Sequence, residues 1–241
     1  MRAVAVIPAR MGSKRLPGKV LADVGGEPLV VHVWRGLQLA QTLDAVFVAT
    51  DDAVVAEVIE AVGGRVLRTT GAHRCGTDRV AEAVASIEAE IVVNVQADCA
   101  QLDPCVVDRI VSLLRAGEAS VVTPVTDISD DAVVASTDCV KAVVDSAGRG
   151  IYFSRARVPH GGPWLKHVGV YGFRRETLEA FGASAPTPLE LAEDLEQLRL
   201  IEHGVTIQTI LIDAPGISVD TSCDLRRLQT SHSSPRRGTH A

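Results

Sequence analysis

Apolar and polar positions fall into two kinds of block along the chain. Residues 3–7 (AVAVI), 45–49 (AVFVA) and 91–95 (IVVNV) are short continuous apolar runs, the pattern of strands buried on both faces. Between them lie stretches with helical spacing. In residues 28–41, Leu29, Val33, Leu37 and Ala40 recur on one face. Residues 53–62 form a second helix, opened by the cap signal Thr50-Asp51-Asp52 and closed by Gly63-Gly64. Residues 77–87 form a third, with Thr77 or Asp78 as cap, and residues 104–114 a fourth. Residues 65–68, 120–126, 139–145, 167–174 and 206–212 predict strands, and the charged stretch 189–201 a helix.

Strands alternating with helices imply βαβ crossovers, hence an α/β fold with a mostly parallel sheet covered by helices on both faces. Ligands on such sheets bind beyond the carboxyl ends of the strands, which directs attention to residues 8–19, 50–52 and 96–100. No linker or repeat interrupts the pattern, so residues 1–230 read as one domain. Residues 231–241 (SHSSPRRGTHA) are polar and unpatterned and read as a disordered tail.

Composition narrows the function. Hydrophobic residues make up 46% of the chain but aromatics only 3%, so the core is built from small and β-branched side chains. The net charge of −6 argues against a broad basic face for nucleic acid, though not against a local anion site. The five cysteines, Cys75, Cys99, Cys105, Cys139 and Cys223, form no CxxC pair and read as free thiols of a reducing cytoplasm. No apolar run approaches a membrane span, and the first strand is too short for a signal sequence. A soluble cytoplasmic protein is expected.

Six segments carry candidate chemistry. Residues 8–19 (PARMGSKRLPGK) leave the first strand with two glycines, two prolines and four cations, suited to a polyphosphate through close backbone approach and guanidinium and ammonium donors. Their spacing matches neither GxxxxGK[ST] nor GxGxxG. Asp98 follows a buried strand, and Asp220 lies in Val219-Asp220-Thr221. Two carboxylates brought together from distant positions can hold Mg²⁺ against a phosphate. Cys75-Gly76-Thr77-Asp78-Arg79 precedes a helix and either presents donors to a base or sugar or simply caps that helix. His167 and Tyr171, four apart, fall on one face of a strand, as ligand contacts or as ordinary structural residues. Residues 190–199 (ELAEDLEQLR) are either a solvated helical face or a source of polar contacts.

Taken in order, these segments resemble the 3-deoxy-manno-octulosonate (Kdo) cytidylyltransferase family. IPAR at residues 7–10 and SKRLPGK at 13–19 are similar to its opening signature. His32-Val33, VATDD at 48–52, CGTDR at 75–79, NVQAD at 94–98, YFSR at 152–155, HVGVY at 167–171, LEQLR at 195–199 and Val219-Asp220-Thr221 continue it. The resemblance implies a Rossmann-like nucleotidyltransferase fold with a smaller mixed substrate and dimer subregion. It implies an enzyme that uses CTP and Mg²⁺ to activate a small anionic acid, acts as a homodimer and touches neither nucleic acid nor membrane. By that resemblance Pro8, Ala9, Arg10, Ser13, Arg15, Lys19, Thr50, Asp51, Cys75, Gly76, Thr77, Arg79 and Gln96 surround CTP. Arg15, Lys19, Asp98 and Asp220 are catalytic, with Asp98 and Asp220 the Mg²⁺ ligands. Gln96, Arg155, His167, Tyr171, Glu196 and Gln197 face the acceptor acid.

Two departures bear on the acceptor. The family's QGDEP is here Gln96-Ala97-Asp98-Cys99-Ala100, without its Glu and Pro. Residues 156–166 (ARVPHGGPWLK) are shorter than the family's excursion. The acceptor is therefore Kdo or a related octulosonate, or a small acid such as phosphonoformate. A CTP-binding module without turnover is the non-enzymatic reading. A glycosyltransferase of similar topology lacks its DxD motif at the expected place.

Overall fold

The N-terminal apolar run forms β1 (Ala3–Pro8), hydrogen-bonded in parallel to two later runs of the same kind, as expected for strands flanked by helices. The computed structural model describes residues 2–13, 16–71 and 73–233. After β1 come a 3₁₀ turn at Lys19–Leu21, the small ribbon β2 (Asp23–Val24) and β3 (Glu27–Pro28), and α1 (Leu29–Leu37). Next follow β4 (Ala45–Thr50), α2 (Ala53–Ala61), β5 (Arg65–Arg68), α3 (Gly76–Val84) and β6 (Ile91–Val95). Then β7 (Cys99–Ala100), α4 (Pro104–Ala116), β8 (Val121–Ile128), α5 (Asp131–Ala135), β9 (Lys141–Val144) and β10 (Gly150–Ser154). The chain ends with β11 (Trp164–His167), β12 (Val170–Arg174), α6 (Arg175–Ala183), α7 (Pro188–Glu193), α8 (Gln197–Glu202), β13 (Ile207–Leu211), β14 (Ile217–Ser218) and α9 (Ser222–Ser233).

The main sheet runs β10-β9-β11-β8-β12-β6-β1-β4-β5, with β13 also on β8. The β6-β1-β4-β5 half is parallel. Beyond β6 the strands pair antiparallel, except β13 on β8. This is the mixed α/β architecture expected. Alternate residues of β1 feed opposite faces: Ala3, Ala5 and Ile7 pack with α1, α2 and α4, and Val4 and Val6 with α3, α6 and α8. Gly172 lets α4 lie directly on β12, for a β-carbon there would fall 2.2 Å from Ile110 Cγ2.

The expected elements formed, with four changes. α1 stops at Leu37 because the last turn tightens, with Leu39 N–H bonding Gly36 O and Ala40 N–H bonding Leu37 O. The α3 cap is neither Thr77 nor Asp78 but the Cys75 sulfur, which accepts from Asp78 N at 3.4 Å. Residues 167–174 are two strands separated at Val168-Gly169, where Val168 N–H bonds Pro124 O. The stretch 189–201 breaks at Asp194, whose φ of 53° is left-handed, so that Leu195, Leu198 and Leu200 enter the core. The sequence pattern does not anticipate β2, β3, β7, β10, β11, β14, α5, α6 or α9 as separate elements. α9 continues through Ser233, into the stretch expected to be a tail; residues 234–241 lie outside the described residues. Among the described residues no helix is long and apolar enough to cross a membrane.

The break at Asp194 is held by Arg199, which is 1% exposed. Its guanidinium forks onto Glu190 (Nε–Oε2 2.7 Å, Nη2–Oε1 2.6 Å), reaches Asp78 Oδ1 at 2.8 Å and stacks 4.0 Å over the Phe181 ring. One side chain thus joins α8 to α7, α3 and α6. Arg199→Met leaves the buried Glu190 carboxylate without its partner and is expected to destabilise the fold by roughly 3–5 kcal/mol, read from urea unfolding. A loss below about 1 kcal/mol would show the fork to be dispensable.

Candidate active site

The loop after β1 is closed by its own backbone. Met11 O accepts from Ser13 N (2.9 Å) and Gly18 N (3.1 Å), and Gly18 turns the chain at φ 70° into the 3₁₀ turn that carries Lys19. The N–H groups of Ser13 and Gly18 are therefore engaged within the loop, and it is the side chains of Arg10, Ser13 and Lys19 that line the cleft.

Lys19 is the centre of that cleft. Its ammonium meets Asp98 Oδ2 at 2.5 Å, Asp220 Oδ1 at 3.2 Å and Val219 O at 3.1 Å. Asp98 follows β6. Asp220 arrives because β14 pairs antiparallel with β7, Ser218 opposite Cys99, and Val219 N–H bonds Asp98 O at 2.9 Å. Burial alone would lower the Lys19 pKa; the two carboxylates overcome it and hold the ammonium above its ordinary value. Asp98 and Asp220 are hard oxygen donors converging on one positive charge. The same two side chains are the residues that would ligate a divalent cation, which prefers oxygen donors.

Three connected hollows of about 490, 290 and 320 Å³ extend from this point, and Gln96 and Arg155 line all three. The first holds Pro8, Arg10, Ser13, Lys19, Arg74, Asp98 and Asp220. The second adds Lys166, His167 and Ser218, and the third Cys75, Gly76, Tyr171, Glu196 and Gln197. Larger hollows between α4 and β13 and beside α1 contain none of the expected site residues.

Arg155 is held by backbone: Nε donates to Glu193 O (3.1 Å), Nη1 to Thr137 O (3.1 Å) and Nη2 to Asp194 O (3.4 Å). A guanidinium has five N–H groups, so two are left for the cleft. His167 is buried, and its Nε2 lies 3.0 Å from Thr123 Oγ1. That hydroxyl gives its proton to Val170 O at 2.7 Å, so Nε2 is the ring's N–H donor and Nδ1 an acceptor. Burial, with Lys166 adding repulsion, pushes the His167 pKa down to about 3. Tyr171 donates to Gln197 Oε1 at 3.1 Å, and Gln197 Nε2 is buried with no partner among the described residues. Burial raises the Glu196 pKa, while bonds from the Cys75 thiol and from Thr77 (Oγ1 2.8 Å, N 3.2 Å) act against it.

Other expected residues do not line these hollows. Ala9 is in the core with its N–H on Ala49 O, and Thr50 is fully buried, its hydroxyl accepting from Asp52 N. Asp51 pairs with Arg79 at 2.9 Å, and Arg79 also bonds Thr69 Oγ1 and Gly71 O, fixing the loop before α3. Thr77 is buried under Glu196. Arg15 lies outside the described residues. Arg74, Lys166 and Asp194 were missed. Arg74 directly precedes Cys75-Gly76, so the logic that picked the cationic glycine loop at 8–19 would have found it. Asp194 carried no signal, because the helix expected at 189–201 ran through it.

A family model described as cytidylyltransferase matches residues 4–207. The chain is 42% identical over 248 residues to 3-deoxy-manno-octulosonate cytidylyltransferase of Geobacter metallireducens, covering 95% of this chain and 96% of that protein. It is 43% identical over 235 residues to the protein of the same name from Myxococcus xanthus, covering 95% of each. A solved structure of CMP:2-keto-3-deoxy-manno-octonic acid synthetase complexed with CTP superposes with a TM-score of 0.90 at 36% identity, over 96% of this chain and 98% of that one. Likeness of this degree, running almost end to end in both partners, makes the chain a member of the 3-deoxy-manno-octulosonate cytidylyltransferase family.

Proposed function

We propose that the protein transfers CMP from CTP to Kdo with release of pyrophosphate, in a Mg²⁺-dependent reaction. The observation that carries this is the meeting of Asp98 and Asp220 around Lys19 at the mouth of a cleft lined by Arg10, Arg74 and Arg155. The reaction joins an acceptor hydroxyl oxygen to the α-phosphorus, the hydroxyl proton passing to water, and breaks the bond from the α-phosphorus to the bridging oxygen, which departs with pyrophosphate. Such chemistry needs positioning and charge neutralisation more than a strong base.

Arg10, Ser13, Lys19 and Arg74 bind the triphosphate, with Arg15 assigned to the same task by its place in the motif. Asp98 and Asp220 hold Mg²⁺, which when bound supplies positive charge against the triphosphate. Gly76 leaves room for the cytosine beside the Gln96 amide, which a β-carbon there would approach to 2.7 Å. Thr50, Asp51, Thr77 and Arg79 act from behind, by holding that loop. On the acceptor side, Arg155 offers two N–H groups to a carboxylate and the unpartnered Gln197 amide donates to a hydroxyl. The neutral His167 accepts through Nδ1, and Tyr171 and Glu196 complete the wall.

Pyrophosphate release from CTP and Mg²⁺ is expected with Kdo and not with phosphonoformate as control acid. Release with phosphonoformate alone would reassign the acceptor. Asp98→Asn is expected to lower turnover at least about 100-fold while shifting unfolding stability by about 1 kcal/mol or less; near wild-type turnover removes Asp98 from the site. His167 gives a pH signature. Below pH 6.5 the unfolded chain protonates it while the folded chain does not until about pH 3, so folding stability falls as pH drops through that window. His167→Gln is therefore expected to flatten the pH dependence of the urea midpoint, by roughly 3 kcal/mol at pH 4 relative to pH 7. Parallel profiles for the two proteins would mean that His167 takes up its proton in the fold as easily as out of it.

A further inference from the structure

Lys141 sits in β9 with no exposed surface. Its ammonium donates to three backbone carbonyls, Ser136 O at 2.8 Å, Cys139 O at 2.6 Å and Arg155 O at 2.6 Å, which uses all three of its protons. No carboxylate among the described residues pairs with it. A buried cation caged by carbonyls alone is costly beside an apolar side chain of the same length, so mere filling of this position does not account for it.

The cage has a partner. Arg155, whose carbonyl Lys141 holds, sends its own guanidinium back to Thr137 O, inside the turn that Lys141 anchors, and across to Glu193 O and Asp194 O at the break between α7 and α8. The Arg155 N–H in turn bonds Glu193 Oε2 at 3.0 Å. Two cations thus grip one junction from opposite ends; neither makes a direct ion pair among the described residues, and the Glu193 carboxylate is the acid whose field reaches both. Lys166, opposite Lys141 in the β9–β11 register and lining the cleft, adds a third positive charge to this wall, with Asp138 and Glu193 as acidic neighbours.

We propose that Lys141 is a positioning residue for Arg155: its buried ammonium fixes the Arg155 backbone and the turn its guanidinium reaches, aiming the remaining guanidinium N–H groups at the acceptor's anionic group. This rests on the acceptor role given to Arg155 above. It places the specificity for an acidic acceptor partly in a residue that never touches it.

The test separates the two readings. Pyrophosphate release by the wild-type protein with CTP, Mg²⁺ and Kdo establishes the reaction first; its absence would fault the proposed function and not the clamp. Lys141→Met is then expected to raise the KM for Kdo at least about tenfold, as misplacement of a binding group does, with the KM for CTP within about twofold. In an Arg155→Gln background the same change is expected to add less than about twofold to the KM for Kdo, because both act through one guanidinium. A purely structural role would move both KM values and kcat together. An unchanged KM for Kdo in folded Lys141→Met, or multiplicative effects of the two changes, overturns the proposal. Should Lys141→Met not fold, Lys141→Gln, which keeps two N–H donors for the three carbonyls, carries the same comparison with the same outcomes.

Discussion

Two carboxylates held at the mouth of one cleft repel each other unless a cation stands between them, and here the Lys19 ammonium does so. That triad joins three stretches of chain remote in sequence: the loop after β1, the end of β6 and the segment after β14. It exists because the parallel strands β1 and β6 end side by side and because a two-residue ribbon, β7 with β14, carries Asp220 back to Asp98. The fold therefore delivers a carboxylate pair already closed around positive charge. In the proposed reaction, a cation arriving with a polyphosphate would find an acid pair already brought together.

Around this centre the cations divide by how they are satisfied. Arg79 and Arg199 are buried and paired with acids, Asp51 for one and Glu190 with Asp78 for the other, and they act as struts. Arg74 stands half-exposed at 4.0 Å from Glu190, close enough to be steered and far enough to serve a ligand. Arg155 and Lys141 bond chiefly to carbonyls, which accept their protons without carrying a full opposing charge, with Glu193 the acid nearby. A protein with a net charge of −6 so keeps a locally positive wall where its anionic ligands are to bind.

What the sequence made legible follows the same division. Continuous apolar runs such as IVVNV announce buried parallel strands, and the rule that ligands sit at their carboxyl ends led directly to Lys19 and Asp98. Asp220 was identifiable as a candidate from its motif, but its approach to Asp98 depends on a ribbon too short to leave a periodic signal. The break at Asp194 was hidden because residues 189–201 carry helical charge spacing throughout, and a single left-handed residue does not alter a pattern. Thr50, Asp51 and Arg79 were placed with the nucleotide on motif grounds. Thr50 and Arg79 are buried, Arg79 pairs with the exposed Asp51, and none of the three lines the hollows around Lys19.

The acceptor side was the least legible, for a physical reason. Its defining contacts run from side chains to main-chain carbonyls at Ser136, Thr137, Cys139, Glu193, Asp194 and Arg155. A carbonyl is present at every residue, so which ones converge is decided by the path of the turns and not by residue type. Motifs of side chains can point to a polyphosphate, whose usual partners are arginine, lysine and a metal-binding carboxylate. They cannot by themselves size a pocket whose walls are aimed by backbone. Changes in the turns at residues 136–139 and 193–196 are therefore the ones that would re-aim Arg155 while leaving the triad around Lys19 intact.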